Sequence, residues 1–138
     1  MVDAERLARI VTRVRHDVAT LRATAAAHDL VADPTALAAV KYLFVTAIEG
    51  CVRAASHIAS SDGLGVAESG ADAVRLLGRH AVVDPDLAES VARAVGFRNV
   101  LVHEYVAVDD DAVRANLALL DDLDAFARAL AARAAQGG

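Results

Sequence analysis

The chain has 138 residues, enough for one domain (1–138) with a substantial core, and 14 lysines and arginines stand against 19 aspartates and glutamates, for a net charge of −5. Ala, Leu and Val dominate, aromatics make up 4% and prolines number two, which favours a helix bundle over β-structure. The acidity argues against a general nucleic-acid binder, the single cysteine excludes an intrachain disulfide, and the lack of a signal-peptide core or of an unbroken apolar run of about 20 residues predicts a cytoplasmic protein with no membrane contact.

The first helix is expected from about Asp3 to His28, with Leu7, Ile10, Val11, Val14, Val18 and Leu21 on one stripe. Asp33-Pro34 reads as a cap followed by proline at the first helical position. It opens a second helix that buries Leu37, Val40, Phe44, Ile48, Cys51, Val52, Ala55 and Ile58. The run from Ser60 to Gly65 stops that helix in a loop; its Gly63-Leu64-Gly65 is too short for a dinucleotide fingerprint. A short helix covers about Ser69 to Arg79. Asp84-Pro85 repeats the capped start and opens a fourth helix through Leu87, Val91 and Val95 toward Val100. Asp109, Asp110 and Asp111 cap a fifth, which runs through Val113, Leu117, Leu120, Leu123, Phe126 and Leu130. Ala81-Val82-Val83 is too short to compete as a strand. Four long helices and one short one, each with a stripe to bury, make an all-α antiparallel helical bundle.

Charges are unevenly placed. Arg75, Arg79, Arg93 and Arg98 gather mid-sequence, which leaves room for a local basic pocket, whereas the late aspartates read as solvated helix starts and faces. The segment Arg98-Asn99-Val100-Leu101-Val102-His103-Glu104-Tyr105 puts a permanent cation, an imidazole and a phenol close together. Arg grips phosphate with a planar fork of donors, and His exchanges protons near neutrality. Together they suffice to break a phosphodiester without a metal. On a continuous helix, Arg98 and His103 leave in directions about 140° apart, and Tyr105 lies a further ~200° round. The three meet most easily if the fourth helix ends near Val102 and His103 to Tyr105 lie in the turn beyond. The residues alone allow a plainer reading, in which Arg and His at a helix C-terminus complement its dipole and Tyr105 anchors the turn.

Arg98, His103 and Tyr105 match the R-x4-H-x-Y pattern of HEPN-domain proteins. The longer string from Gly96 to Tyr105, together with Ala47-Ile48-Glu49-Gly50-Cys51-Val52-Arg53-Ala54-Ala55-Ser56-His57-Ile58 in the second helix, resembles the HepT-like branch across nearly the whole chain. The resemblance implies a HEPN bundle acting as a metal-independent endoribonuclease, the toxin of a toxin–antitoxin pair encoded beside a minimal nucleotidyltransferase, MntA. It implies Arg98 and His103 as the catalytic pair, acting on RNA only, with 2′,3′-cyclic phosphate and 5′-hydroxyl ends. It further implies a homodimer that juxtaposes two motifs, and adenylylation of Tyr105 by the antitoxin. No cofactor is implied. No Glu-x-x-His pair exists for a carboxylate-bridged metal site.

Other polar residues stay open at this level. Glu49 and His57, about 80° apart on the second helix, either support the motif or make ordinary hydrogen bonds. Asn99 either contacts nucleotide or caps the helix end. Cys51 reads as a small core residue, and His16, His28 and His80 as surface residues. Two other functions fit the same residues: a non-catalytic HEPN module that holds nucleotide or recruits substrate for a nucleotidyltransferase, and a helix-pairing partner protein.

Overall fold

The computed structural model describes residues 3–103 and 110–137. The chain is an all-α antiparallel bundle. Its helices are α1 (Ala4–Ala27), α2 (Pro34–Ser61), α3 (Gly70–Arg79), α4 (Pro85–His103), α5 (Asp110–Ala115) and, after a 3₁₀ turn over Asn116–Leu119, α6 (Leu120–Gly137). No strand occurs among the described residues.

Side-chain oxygens start the helices by taking amide protons that lack an intrahelical acceptor. Asp3 accepts from the Arg6 N–H at 3.0 Å, Asp33 from Ala36 at 3.0 Å and Ser69 from Asp72 at 3.1 Å. Asp84 accepts from Asp86 at 2.9 Å and Leu87 at 3.2 Å. Pro34 and Pro85 occupy the first helical positions behind two of these caps, as the sequence predicts.

α2 is the central helix and packs on α1, α3, α4 and α6; α1 also packs on α6, and α3 on α4. That position explains its composition. By length and apolarity α2 is able to cross a membrane, although polar residues interrupt its apolar run; here Val40, Phe44, Ile48 and Ile58 supply the core. Gly50 lets α1 approach closely, since a Cβ there would collide with Val14. The predicted stripes of α1 and α2 are buried, except that Ile10 and Val52 are only partly covered.

Two features depart from expectation. The fifth helix is not one element, because a 3₁₀ turn separates α5 from α6. The Asn116 Nδ2 donates to the Ala112 carbonyl at 2.8 Å, and so competes for the acceptor that the Asn116 amide uses in a regular helix. The turn tightens to i→i+3 bonding there, and Leu117 is only partly buried. The second departure is Asp17, which is 2% exposed on the inner stripe of α1. Arg13 bonds one of its carboxylate oxygens at 3.1 Å, and the other has no hydrogen-bond partner.

Candidate active site

α4 carries the motif. Its placement against α2 is fixed beside Arg98 by an edge-to-face pair, Phe44 and Phe97, with ring centroids 5.4 Å apart and planes at 87°. This contact brings Arg98 to Glu49. The Arg98 Nη2 donates to the Glu49 carboxylate, and Nη1 donates to the Asn99 side-chain oxygen at 2.9 Å. Nε is buried without a partner. A guanidinium has five N–H donors. With one hydrogen of each terminal nitrogen engaged and Nε sealed, one N–H on each of Nη1 and Nη2 is left to meet an anion.

Those donors border a groove of about 600 Å³ between α2, α3 and α4. Val52, Ala92, Val95 and Gly96 contribute its apolar surface, and Arg53, Arg75, Arg93 and Arg98 its charge, with Glu49 the sole carboxylate among the lining residues. Gly96 sits mid-helix, and a Cβ built on it meets nothing within 4 Å, so its bare backbone leaves the groove open. Arg75 is held by Glu89 through two hydrogen bonds of 2.9 Å; these raise the Arg75 pKa and hold the Glu89 carboxyl below the usual range. Arg53 and Arg93 have no carboxylate partner among the described residues. A short cavity of about 210 Å³ adjoins the groove through Glu49 and Arg53 and reaches Asp17.

His103 is the last residue of α4, exposed, and not among the residues that line the groove. α4 thus extends beyond Val100, toward which the sequence reading ran it, and includes His103, expected in the turn beyond. On a helix that includes both residues, Arg98 and His103 depart about 140° apart, and only Arg98 is among the described residues that line the groove. Val100 and Val102, 41% and 38% exposed, stand on the same last turn of α4. Tyr105 and Glu104 lie outside the described residues.

Of the two supporting residues on α2, Glu49 meets the motif and His57 does not. The His57 Nε2 accepts a hydrogen bond from the Asp3 backbone N–H at 3.1 Å, at the start of α1. Eight residues along a helix separate the two by about 12 Å in height, so sharing a side did not bring them to one level. Asn99 is exposed and pairs with Arg98 through its side chain. Arg79 turns to Asp72, 3.4 Å away. Arg53 was not singled out by the sequence, although it stands four residues after Glu49 and so on the same face. Cys51 is buried, and His16, His28 and His80 are exposed.

The family model "ribonuclease HepT-like" matches residues 3–130. A relative, the mRNA nuclease HepT of Shewanella oneidensis, is 32% identical over 65 residues; the match covers 47% of this chain and 49% of that protein, about half the length of each. Among solved structures, a tri-AMPylated Shewanella oneidensis HEPN toxin in complex with an MNT antitoxin superposes with a TM-score of 0.85 at 22% identity, covering 96% of this chain and 99% of that one. A cytosolic protein of unknown function from Bacillus subtilis, YutE, superposes with a TM-score of 0.86 at 15% identity, covering 99% and 93%.

Proposed function

The chain belongs to the ribonuclease HepT-like family, and on that premise we propose that it is a metal-independent endoribonuclease, the toxin of a HepT/MntA-type toxin–antitoxin pair acting in the cytoplasm. The observation that carries this reading is Arg98, fixed by Glu49 and Asn99 with two N–H edges left at the rim of an arginine-lined groove. That is a phosphate site in waiting.

The proposed chemistry runs on side chains of this sequence. The ribose 2′-oxygen attacks the adjacent phosphorus, and its proton passes to a neutral His103 imidazole. The bond from phosphorus to the 5′-oxygen breaks, and that oxygen takes a proton from an imidazolium. Arg98 donates to the non-bridging oxygens as charge builds on them. A 2′,3′-cyclic phosphate and a 5′-hydroxyl result.

One chain presents Arg98 and His103 in different directions, so the reaction calls for a homodimer. A two-fold pair brings His103 of one copy toward the groove of the other, so that each site has one imidazole, which takes the 2′-hydroxyl proton as base and, as the imidazolium so formed, protonates the leaving oxygen. The exposed Val100 and Val102 beside His103 suit such a contact. Inhibition is adenylylation of Tyr105 by an MntA-like nucleotidyltransferase; an anionic AMP next to Arg98 and His103 excludes the substrate phosphate. The complex of the Shewanella toxin, AMPylated and bound to its MNT antitoxin, supports this mode of control.

A second reading has one observation in its favour. The groove alone is suited to a nucleotide, and His103 is not part of it, as expected of a non-catalytic nucleotide-binding partner of the same transferase. Incubating the purified protein with total RNA and mapping new 5′ ends separates the two. Cleavage leaving 5′-hydroxyl ends, lost in folded Arg98→Ala and His103→Ala variants, supports the nuclease. Binding of AMP or ATP with no cleavage supports the alternative. Mass spectrometry after treatment with the transferase and ATP checks Tyr105, where an unmodified phenol counts against the inhibitory mechanism.

A further inference from the structure

The chain neutralises its own cations almost completely. Of its 14 lysines and arginines, all but Arg6, Arg53 and Arg93 stand within 4.0 Å of a carboxylate among the described residues. Two of those three line the same groove as Arg98. Arg93 is near enough to Glu89 to help depress its pKa, but Glu89 gives both of its oxygens to Arg75. In a protein of net charge −5, uncompensated positive charge is thus concentrated at the groove.

The backbone adds to it. The first turn of α3 borders the groove at Ser69, Gly70 and Ala71. The Ser69 hydroxyl caps the Asp72 amide, and the Gly70 and Ala71 amides, at the positive end of the helix, have no intrahelical acceptor. Among the described residues the lining is aliphatic and cationic, without an aromatic side chain. A surface of guanidinium groups and helix-end amides over an apolar floor recognises a chain of phosphates, not a base sequence.

We propose that this groove seats the RNA strand beside the linkage being cut, with Arg53 and Arg93 holding the phosphates that neighbour the one at Arg98 and the bare Gly96 leaving room for the intervening ribose. The inference rests on the ribonuclease reading and extends it to residues outside the motif. It makes substrate recognition a matter of backbone position, with little dependence on base identity.

The test uses the full chain and a fluorescein-labelled 2′-O-methyl RNA oligonucleotide, which lacks the attacking hydroxyl, in anisotropy titrations at several salt concentrations. Cleavage of an ordinary RNA by wild type and by Arg98→Ala is measured alongside. Arg53→Ala/Arg93→Ala is expected to weaken binding by about tenfold or more and to flatten the plot of log affinity against log salt by about 1.4, the value for two phosphates of a single strand. Arg6→Ala removes an equally unpaired charge that is not among the groove's lining residues and is expected to change neither. Gly96→Leu obstructs the groove with its charges intact and is expected to weaken binding at an unchanged salt slope.

If wild type cleaves RNA and Arg98→Ala does not, yet the double variant keeps wild-type affinity and slope, the groove assignment is overturned and the nuclease reading stands. Equal losses in Arg6→Ala and in the double variant also overturn it, because the binding is then diffuse. If no RNA is cut but the double variant loses affinity and slope, the groove assignment survives and the nuclease reading falls. A marked preference for one homopolymer over the others overturns the claim of sequence-independent recognition.

Discussion

Arg98 depends on Glu49 in two ways. The carboxylate fixes the guanidinium in one orientation, and it compensates a charge that is only a quarter exposed. Removing it in Glu49→Ala frees the fork to move by an ångström or more, and a misplacement of that size costs about 10²-fold in turnover. The expected result is a fall in kcat for RNA cleavage with folding retained, and a smaller fall in Glu49→Gln, which keeps an acceptor. Equal activity in all three proteins would remove Glu49 from the site. Cys51 shows the opposite situation, a group kept from acting. Burial pushes its thiol from 9.0 up to about 12, so the folded protein holds it protonated. Its contribution to stability is present below pH 9 and declines as the pH climbs toward 12, because the unfolded thiol ionises first. At pH 8.5 alkylation by iodoacetamide should follow global unfolding, read by mass spectrometry across a denaturant series; rapid labelling of the native protein would contradict this. At this scale the sequence made the Arg98 cation and the buried Cys51 legible, because their chemistry is intrinsic to their types, whereas the part expected of His103 stays a proposal. It did not reveal Asp17, since an aspartate on a stripe position reads as a solvated neighbour of that stripe until the packing of α1 on α2 closes over it.

The helices were more legible than their ends and joints. Asp-Pro pairs announced α2 and α4, and apolar spacing announced the core faces, because both follow from backbone geometry alone. The break between α5 and α6 did not show, as it hangs on one Asn116 rotamer. The turn after α3 holds another feature of this kind. The Val82 N–H bonds the Leu77 carbonyl at 2.9 Å and the Ala81 N–H bonds Gly78 at 3.2 Å, a Schellman closure that puts Ala81 at φ 56°. A side chain in the left-handed region costs roughly 1–2 kcal/mol, and glycine gives back ~0.4–1 through its freer unfolded chain. Ala81→Gly is therefore expected to stabilise the protein by about 0.5–1 kcal/mol, seen as a rise of a few degrees in Tm by calorimetry. An unchanged or lower Tm would mean that the turn relaxes without strain.

For the whole molecule the central question is how many chains make one site. On α4 Arg98 and His103 depart about 140° apart, and the proposed dimer is what would bring the two groups to one site. Mixing Arg98→Ala with His103→Ala chains under conditions that exchange subunits is expected to restore a fraction of wild-type cleavage, because a mixed pair keeps one intact combination. Full activity in a protein shown to be monomeric by sedimentation would rule the shared site out. The motif string carried the family resemblance, but the groove beside it came from three helices distant in sequence, Arg53 on α2, Arg75 on α3 and Arg93 on α4, which only the fold assembles.

The self-neutralised surface has a kinetic consequence. A polyanion approaching from afar meets the net negative field of the molecule and feels the groove only at close range. Added electrolyte then screens the long-range repulsion, quickening encounter, while it loosens the strand already seated, hastening departure. Stopped-flow traces should show association and dissociation rates rising together with ionic strength, the reverse of the slowing of encounter expected for a basic nuclease.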